Sequence, residues 1–293
     1  MNRRHFLAAL AATTSSLGPV GLSTPAFAQD FPNPAGDDLY KPMSGQSGKD
    51  VVWVPTPDEM VRRMLERAKV TKEDLVFDLG CGDGKIPIAA ARLYGATAKG
   101  IEYNPEMAAL ARRNTERAGV TDRVEIITGD IFDPQLQARF MQATVITTYL
   151  LPDLNLKLRP TLLRMRPGTR VVTHAFHMGE WEPDETFSVE HRDGYSWIVP
   201  TNVAGRWELR EEDGMDASID LVQRYQRIGG TITLKGRTQP LLGPFVQGDA
   251  IGFTFVDAEG QVRSLRGNVK GDTLDARLRF APAAVTSVKG RRA

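Results

Sequence analysis

The chain has 293 residues, 41% hydrophobic and 25% charged, enough for one large domain and a smaller one. Its formal net charge of +1 argues against the basic field that nucleic-acid binding needs, so no nucleic acid is expected as a partner. The single cysteine, Cys81, excludes an intramolecular disulfide and argues against a cysteine-built metal cluster, so no metal is expected.

Residues 1–28 read as an export signal. Arg3 and Arg4 precede a mildly apolar stretch, and Ala26-Phe27-Ala28 fits a cleavage site after Ala28. The apolar part is short and broken by Gly18, Pro19 and Gly21, so it would span a membrane poorly. Arg3-Arg4 followed by Phe6-Leu7 resembles the twin-arginine signal, which implies the twin-arginine export machinery as a partner and a periplasmic or exported product. No stable transmembrane segment is expected after cleavage. Residues 29–50 are rich in Pro, Gly, Asp and Ser and are expected to be a linker.

The segment 51–57, VVWVPTP, reads as extended, because Pro55 and Pro57 exclude helix before them. A helix from Asp58 to about Val70 follows, with Val61, Met64, Leu65 and Ala68 on one face. Strands are expected at 74–79, 97–102, 123–128, 143–149 and 169–175, and helices at about 84–94, 105–118 and 153–166. Asn104 caps the second of these helices, Pro105 opens it and Gly119 stops it. This alternation predicts a Rossmann-like α/β fold, a doubly wound and mostly parallel sheet, over residues 51–211. Beyond it, short strand-like runs separated by Gly229-Gly230, Gly248-Asp249, Glu259-Gly260 and Gly271-Asp272 predict a small antiparallel β domain over 212–281, a sheet or half-barrel. A frayed tail is expected over 282–293.

The chemistry concentrates in Asp78-Leu79-Gly80-Cys81-Gly82-Asp83-Gly84-Lys85, between the first strand and a helix. Gly80, Gly82 and Gly84 let the backbone turn sharply and approach a ligand at the helix N-terminus. The dinucleotide fingerprint starting at Gly80 would need glycine where Lys85 stands. Asp78 and Asp83 would also repel a pyrophosphate. S-adenosylmethionine carries a sulfonium and an ammonium against one carboxylate, so Asp78 can attract its amino-acid end. Glu102, 24 residues further on, can accept the ribose hydroxyls. Asp130 can accept from the adenine amino group while Ile131 packs on the ring. Three acids at the ends of the first three strands form one ligand-bearing edge.

The motifs DLGCGDGK, GIEYNP and GD-I-F resemble the class I S-adenosylmethionine-dependent methyltransferases over roughly residues 51–210. The order VPTP, DLGCGDGKI, GIEYNP and RPGTRVV is similar to the lysine methyltransferases that modify a membrane-embedded ATP synthase subunit. Their glycine loop is usually DLGSGDGR, so Cys81 and Lys85 depart mildly, and that family lacks the C-terminal β domain. The resemblance implies S-adenosyl-L-methionine as cofactor and a methyl acceptor that is a protein lysine or a small molecule. It implies that Tyr149 to Pro152 line the methyl end, with Tyr149 and Pro152 the candidate catalytic residues, and that Trp53 and Pro55 close over the cofactor.

Tyr149 is equally readable as a core aromatic. His174 and His177 read as structural, with a general base or a substrate wall as alternatives. Cys81 reads as a small loop residue, not a nucleophile. Export and a cytoplasmic cofactor pull against each other. The favoured expectation is a true methyltransferase; the alternative is an exported, non-catalytic adenosyl-binding module with a β interaction domain.

Overall fold

The computed structural model describes residues 31, 36–50, 52–211, 216–280 and 285–293. The export signal expected over 1–28 lies outside the described residues. So do residues 29, 30 and 32–35 of the expected linker, Val51, the junction at 212–215 and residues 281–284. Among the described residues, no helix is long and apolar enough to cross a membrane.

The first half is a seven-stranded sheet. Strands β1 (Leu75–Leu79), β2 (Thr97–Glu102), β3 (Val124–Thr128), β4 (Val145–Thr148) and β5 (Arg170–His174) run parallel. Strands β6 (Glu185–Val189) and β7 (Arg192–Ile198) form a hairpin that joins β5 antiparallel, giving the order β3-β2-β1-β4-β5-β7-β6. The near-continuous burial of VFDL in β1 and VITT in β4 suits strands covered on both faces. The crossover helices are α1 (Asp58–Arg67), α2 (Lys85–Tyr94), α3 (Pro105–Arg117), α4 (Pro134–Phe140) and α5 (Pro152–Leu162). The Asn104 side chain accepts from the Glu106 and Met107 N–H groups, the cap expected for α3. Helix α4 is not legible from periodicity: it has seven residues, of which only Phe140 is buried. Reversal of strand order between β1 and β4 opens a crevice at the carboxyl ends of the strands.

The second sheet is larger than the predicted half-barrel and is built from β8 (Gly205–Glu211), β9 (Asp216–Arg224), β10 (Arg227–Leu234), β11 (Arg237–Pro240), β12 (Leu242–Gln247), β13 (Ala250–Val256), β14 (Val262–Lys270), β15 (Thr273–Phe280) and β16 (Val285–Arg292). Its order is β11-β10-β9-β8-β16-β15-β14-β13-β12, antiparallel throughout. The end strands β11 and β12 are separated only by Leu241, and the Gln239 side chain bonds both the N–H and the carbonyl of Val256. The sheet therefore curls until its two ends meet, around a core that includes Trp207, Ile219, Ile251, Phe253, Phe255, Leu265 and Val288.

Two expected boundaries are corrected. Residues 205–211, expected within the cofactor domain, form β8, a central strand of the second sheet, because Trp207 and Leu209 alternate into its core. The tail expected over 282–293 is, from Val285 onward, strand β16, paired with both β15 and β8. Its inward positions are Val288 and Gly290, and a side chain at Gly290 would come within 2.9 Å of Leu209. An inward glycine hides the apolar alternation that marks a strand.

Candidate cofactor and methyl-transfer site

The loop after β1 takes three left-handed turns between Gly80 and Gly84, with φ of +82° at Gly80, +55° at Gly82 and +84° at Gly84. Any other residue is strained there. Close approach adds a second demand: a β-carbon on Gly82 would sit 2.6 Å from the Trp53 indole nitrogen. One cavity is lined by this loop, by the ends of β1 to β4 and by residues 46–50 and 52–56.

Four acids of the loop and the strand ends line this cavity. Asp78 is buried and accepts from the Thr147 hydroxyl at 2.7 Å. Burial, with Glu102 and Asp83 nearby, pushes its pKa up to about 7 against the one hydrogen bond. Asp83 is pushed up to about 6 by burial, with Lys85 opposing, and its Oδ2 has no partner among the described residues. Glu102 ties the loop together: Oε2 accepts from the Gly82 N–H at 2.9 Å and Oε1 from the Asn104 N–H at 2.9 Å. Its pKa is raised by burial. Asp130 accepts from the Phe132 N–H at 2.8 Å and the Lys49 ammonium at 2.6 Å. These bonds outweigh burial and lower its pKa. Ile131 is buried beside it and lines the cavity.

This donor set fits S-adenosylmethionine. Asp78 and the unpartnered oxygen of Asp83 give a buried concentration of negative charge that would repel a pyrophosphate and hold a cation. Glycines clear the floor, and Trp53 covers it. Cys81 is buried, and burial raises its thiol well above the usual range, so it does not serve as a nucleophile near neutral pH. It packs against Gly100, where a β-carbon would lie 2.5 Å from its sulfur.

Within the segment expected to be a linker, residues 46–50 instead line the cavity. Arg113 and Arg117 bind Asp37 and hold its carboxyl below the usual range. Ser47 and Val52 form a bridge, Lys49 reaches Asp130, and its ammonium lies 5.0 Å from the Tyr103 ring. Lys85 anchors the next stretch through the Thr56 carbonyl at 3.1 Å and Asp58 at 2.7 Å. Sequence reading misses Lys49 and Lys85 as site-builders; the VPTP run beside the glycine loop is the only signal.

At the far end, Tyr149 lines the cavity with its ring 3.9 Å from that of His174 and 6.4 Å from Phe176, on which it stacks. His174 is buried, its Nδ1 lies 3.3 Å from the Thr56 hydroxyl, and burial lowers its pKa to about 4. It is therefore neutral near pH 7. Ala175, at φ +66°, makes the strained turn that sets Phe176 beside them. Pro152 is not brought to the cavity: it is the exposed first residue of α5, a position that needs no N–H donor. His177 is exposed, turned away to accept from the Gly179 N–H. No metal-binding cluster exists among the described residues.

A family profile described as the ANTKMT methyltransferase domain matches residues 78–185. The chain is 46% identical over 142 residues to a protein-lysine N-methyltransferase of Saccharolobus islandicus, covering 48% of this chain and 86% of that protein. It is 30% identical over 135 residues to the mouse lysine N-methyltransferase named for the C subunit of ATP synthase, covering 46% of this chain and 52% of that protein. It thus spans about half the length of the mammalian relatives that it matches. A solved RNA methyltransferase from Salinibacter ruber in complex with S-adenosyl-L-homocysteine is 48% identical, with 51% of this chain and 96% of that chain covered and a TM-score of 0.49.

Proposed function

The chain belongs to the class I S-adenosylmethionine-dependent methyltransferases, the family of the ANTKMT methyltransferase domain, and on that premise we propose that its acceptor is the side-chain amine of a protein lysine. The observation that carries this reading is the 46% identity across 86% of the archaeal protein-lysine enzyme. When bound, S-adenosylmethionine supplies a methyl group on a sulfonium. Asp78, Glu102, Asp130 and Ile131 hold and orient it over the glycine loop. Tyr149, backed by the His174 and Phe176 rings, forms the acceptor wall. A lysine ammonium must lose its proton to solvent before its nitrogen can attack the methyl carbon, and the positive sulfonium opposite would favour the neutral amine. Alignment and exclusion of water then suffice, with no strong base. Tyr149 keeps its proposed place at the methyl end; Pro152 acts only by starting α5.

The full chain, incubated with methyl-labelled cofactor and a cell extract, is expected to place label in methylated lysine after acid hydrolysis. Label confined to small molecules or to another residue type would overturn the lysine reading and leave the methyltransferase intact. Export through the twin-arginine route belongs to the same proposal: the protein folds and methylates before it crosses.

The Asp78 carboxyl makes cofactor binding pH-dependent. With its folded pKa raised from 3.8 to about 7, the folded chain keeps a proton that the unfolded chain has released. Stability of the cofactor-free protein therefore falls as pH rises from about 4 to about 7. A cationic ligand favours the ionised form, so affinity should rise between about pH 6 and pH 8 and release a proton. Calorimetry across that range should show the rise in the native protein and not in Asp78→Asn. An equally steep rise in the variant would take Asp78 out of the linkage.

A further inference from the structure

No described residue of the second sheet lines the cavity, yet the sheet's outer face carries a charge pattern that folding alone does not explain. In β13 to β16, Ile251, Phe253, Phe255, Leu265, Leu274, Leu278 and Val288 point into the core, so the alternate residues point outward. Register places them in rows. One row runs Phe245, Gly252, Arg266, Arg277, Ser287; the next runs Leu242, Thr254, Ser264, Arg279, Val285. Neither row contains an acid. Arg266 and Arg277 are direct cross-strand partners, an unfavourable placement of like charges, and Arg279 lies on the same face two residues on. Arg277 and Arg279 have no carboxylate partner among the described residues, and Arg266 is met only by the Phe245 ring at 5.3 Å. The neighbouring row shows the ordinary arrangement, with Lys289 paired to Asp275.

The same face exposes large apolar side chains: Leu242 at 47%, Phe245 at 37%, Val262 at 58% and Val285 at 52%. Val262 stands two residues before Ser264 on the same face of β14. Arginines alone would suit any anion. Arginines interleaved with exposed Leu, Phe and Val suit a surface that is anionic at one depth and apolar just below it. We propose that this face of the second sheet docks on an anionic phospholipid surface, with Arg266, Arg277 and Arg279 on lipid phosphates and Leu242, Phe245, Val262 and Val285 in the acyl boundary.

The test is co-sedimentation of the full chain with vesicles of phosphatidylcholine, alone or mixed with phosphatidylglycerol, at physiological salt. At least about tenfold more protein should bind the anionic vesicles. Arg277→Ser with Arg279→Ser should abolish that preference, and Leu242→Ser with Phe245→Ser should weaken binding about tenfold. Lys72→Ser with Arg166→Ser, exposed charges on the first domain, should change nothing; thermal melts check that each variant is folded. No preference for anionic vesicles overturns the proposal, as does binding unchanged in either double variant on this face. Polyphosphate that binds as tightly as the vesicles, with the Leu242 and Phe245 variant unaffected, also overturns it in favour of a soluble polyanion.

Discussion

Replacing Glu102 by alanine is expected to weaken S-adenosylmethionine binding roughly 30-fold or more, about 2 kcal/mol, the scale of losing charge-assisted hydrogen bonds. Two losses add. The carboxylate that would accept the ribose hydroxyls is gone. So is the group that accepts from the Gly82 and Asn104 N–H groups, which keeps the left-handed glycine loop in register with the start of α3. Glu102→Gln retains one acceptor oxygen and the length of the side chain, so it should do less damage. If calorimetry shows both variants with native affinity, Glu102 does not contact the cofactor, and its bonds to Gly82 and Asn104 are dispensable.

Arg3→Lys together with Arg4→Lys is expected to block export almost completely. The swap conserves charge and so would be tolerated by a general secretory signal, which needs only a positive N-terminus. A receptor that reads paired arginines distinguishes the guanidinium from a lysine ammonium. Cell fractionation separates the two routes. Mature protein outside the cytoplasm in the double-lysine variant would refute the twin-arginine assignment and leave the cofactor site untouched.

The cofactor half is legible because its signals are local. Asp78 to Gly84 states strand, turn and helix in a single short run, and Glu102 and Asp130 stand at strand ends that period-two and helical patterns locate. What cannot be read is non-local. Strand β16 takes its place between β8 and β15, so VTSVKGRR, with Gly290 facing inward, looks like a charged tail until β8 is beside it. The same partner explains why GRWELR reads as the end of the cofactor domain. Residues 36–50 have a linker's composition because they bury little of their own. They act through a few long-range contacts, Asp37 with Arg113 and Arg117 and Lys49 with Asp130, which no periodicity announces. The family resemblance alone puts Pro152 at the methyl end. A proline at the first turn of α5 instead serves the helix, while Tyr149 three residues earlier faces the cavity.

The most direct test is a calorimetric titration of the full chain at about pH 7.5, first with S-adenosylmethionine and then with a nicotinamide dinucleotide. A cavity built from buried Asp78 and Asp83 over a glycine floor predicts saturable one-to-one binding of the sulfonium cofactor and none of the dinucleotide, whose pyrophosphate those carboxylates repel. Binding of the dinucleotide, or no heat with S-adenosylmethionine from protein shown to be folded, would contradict it.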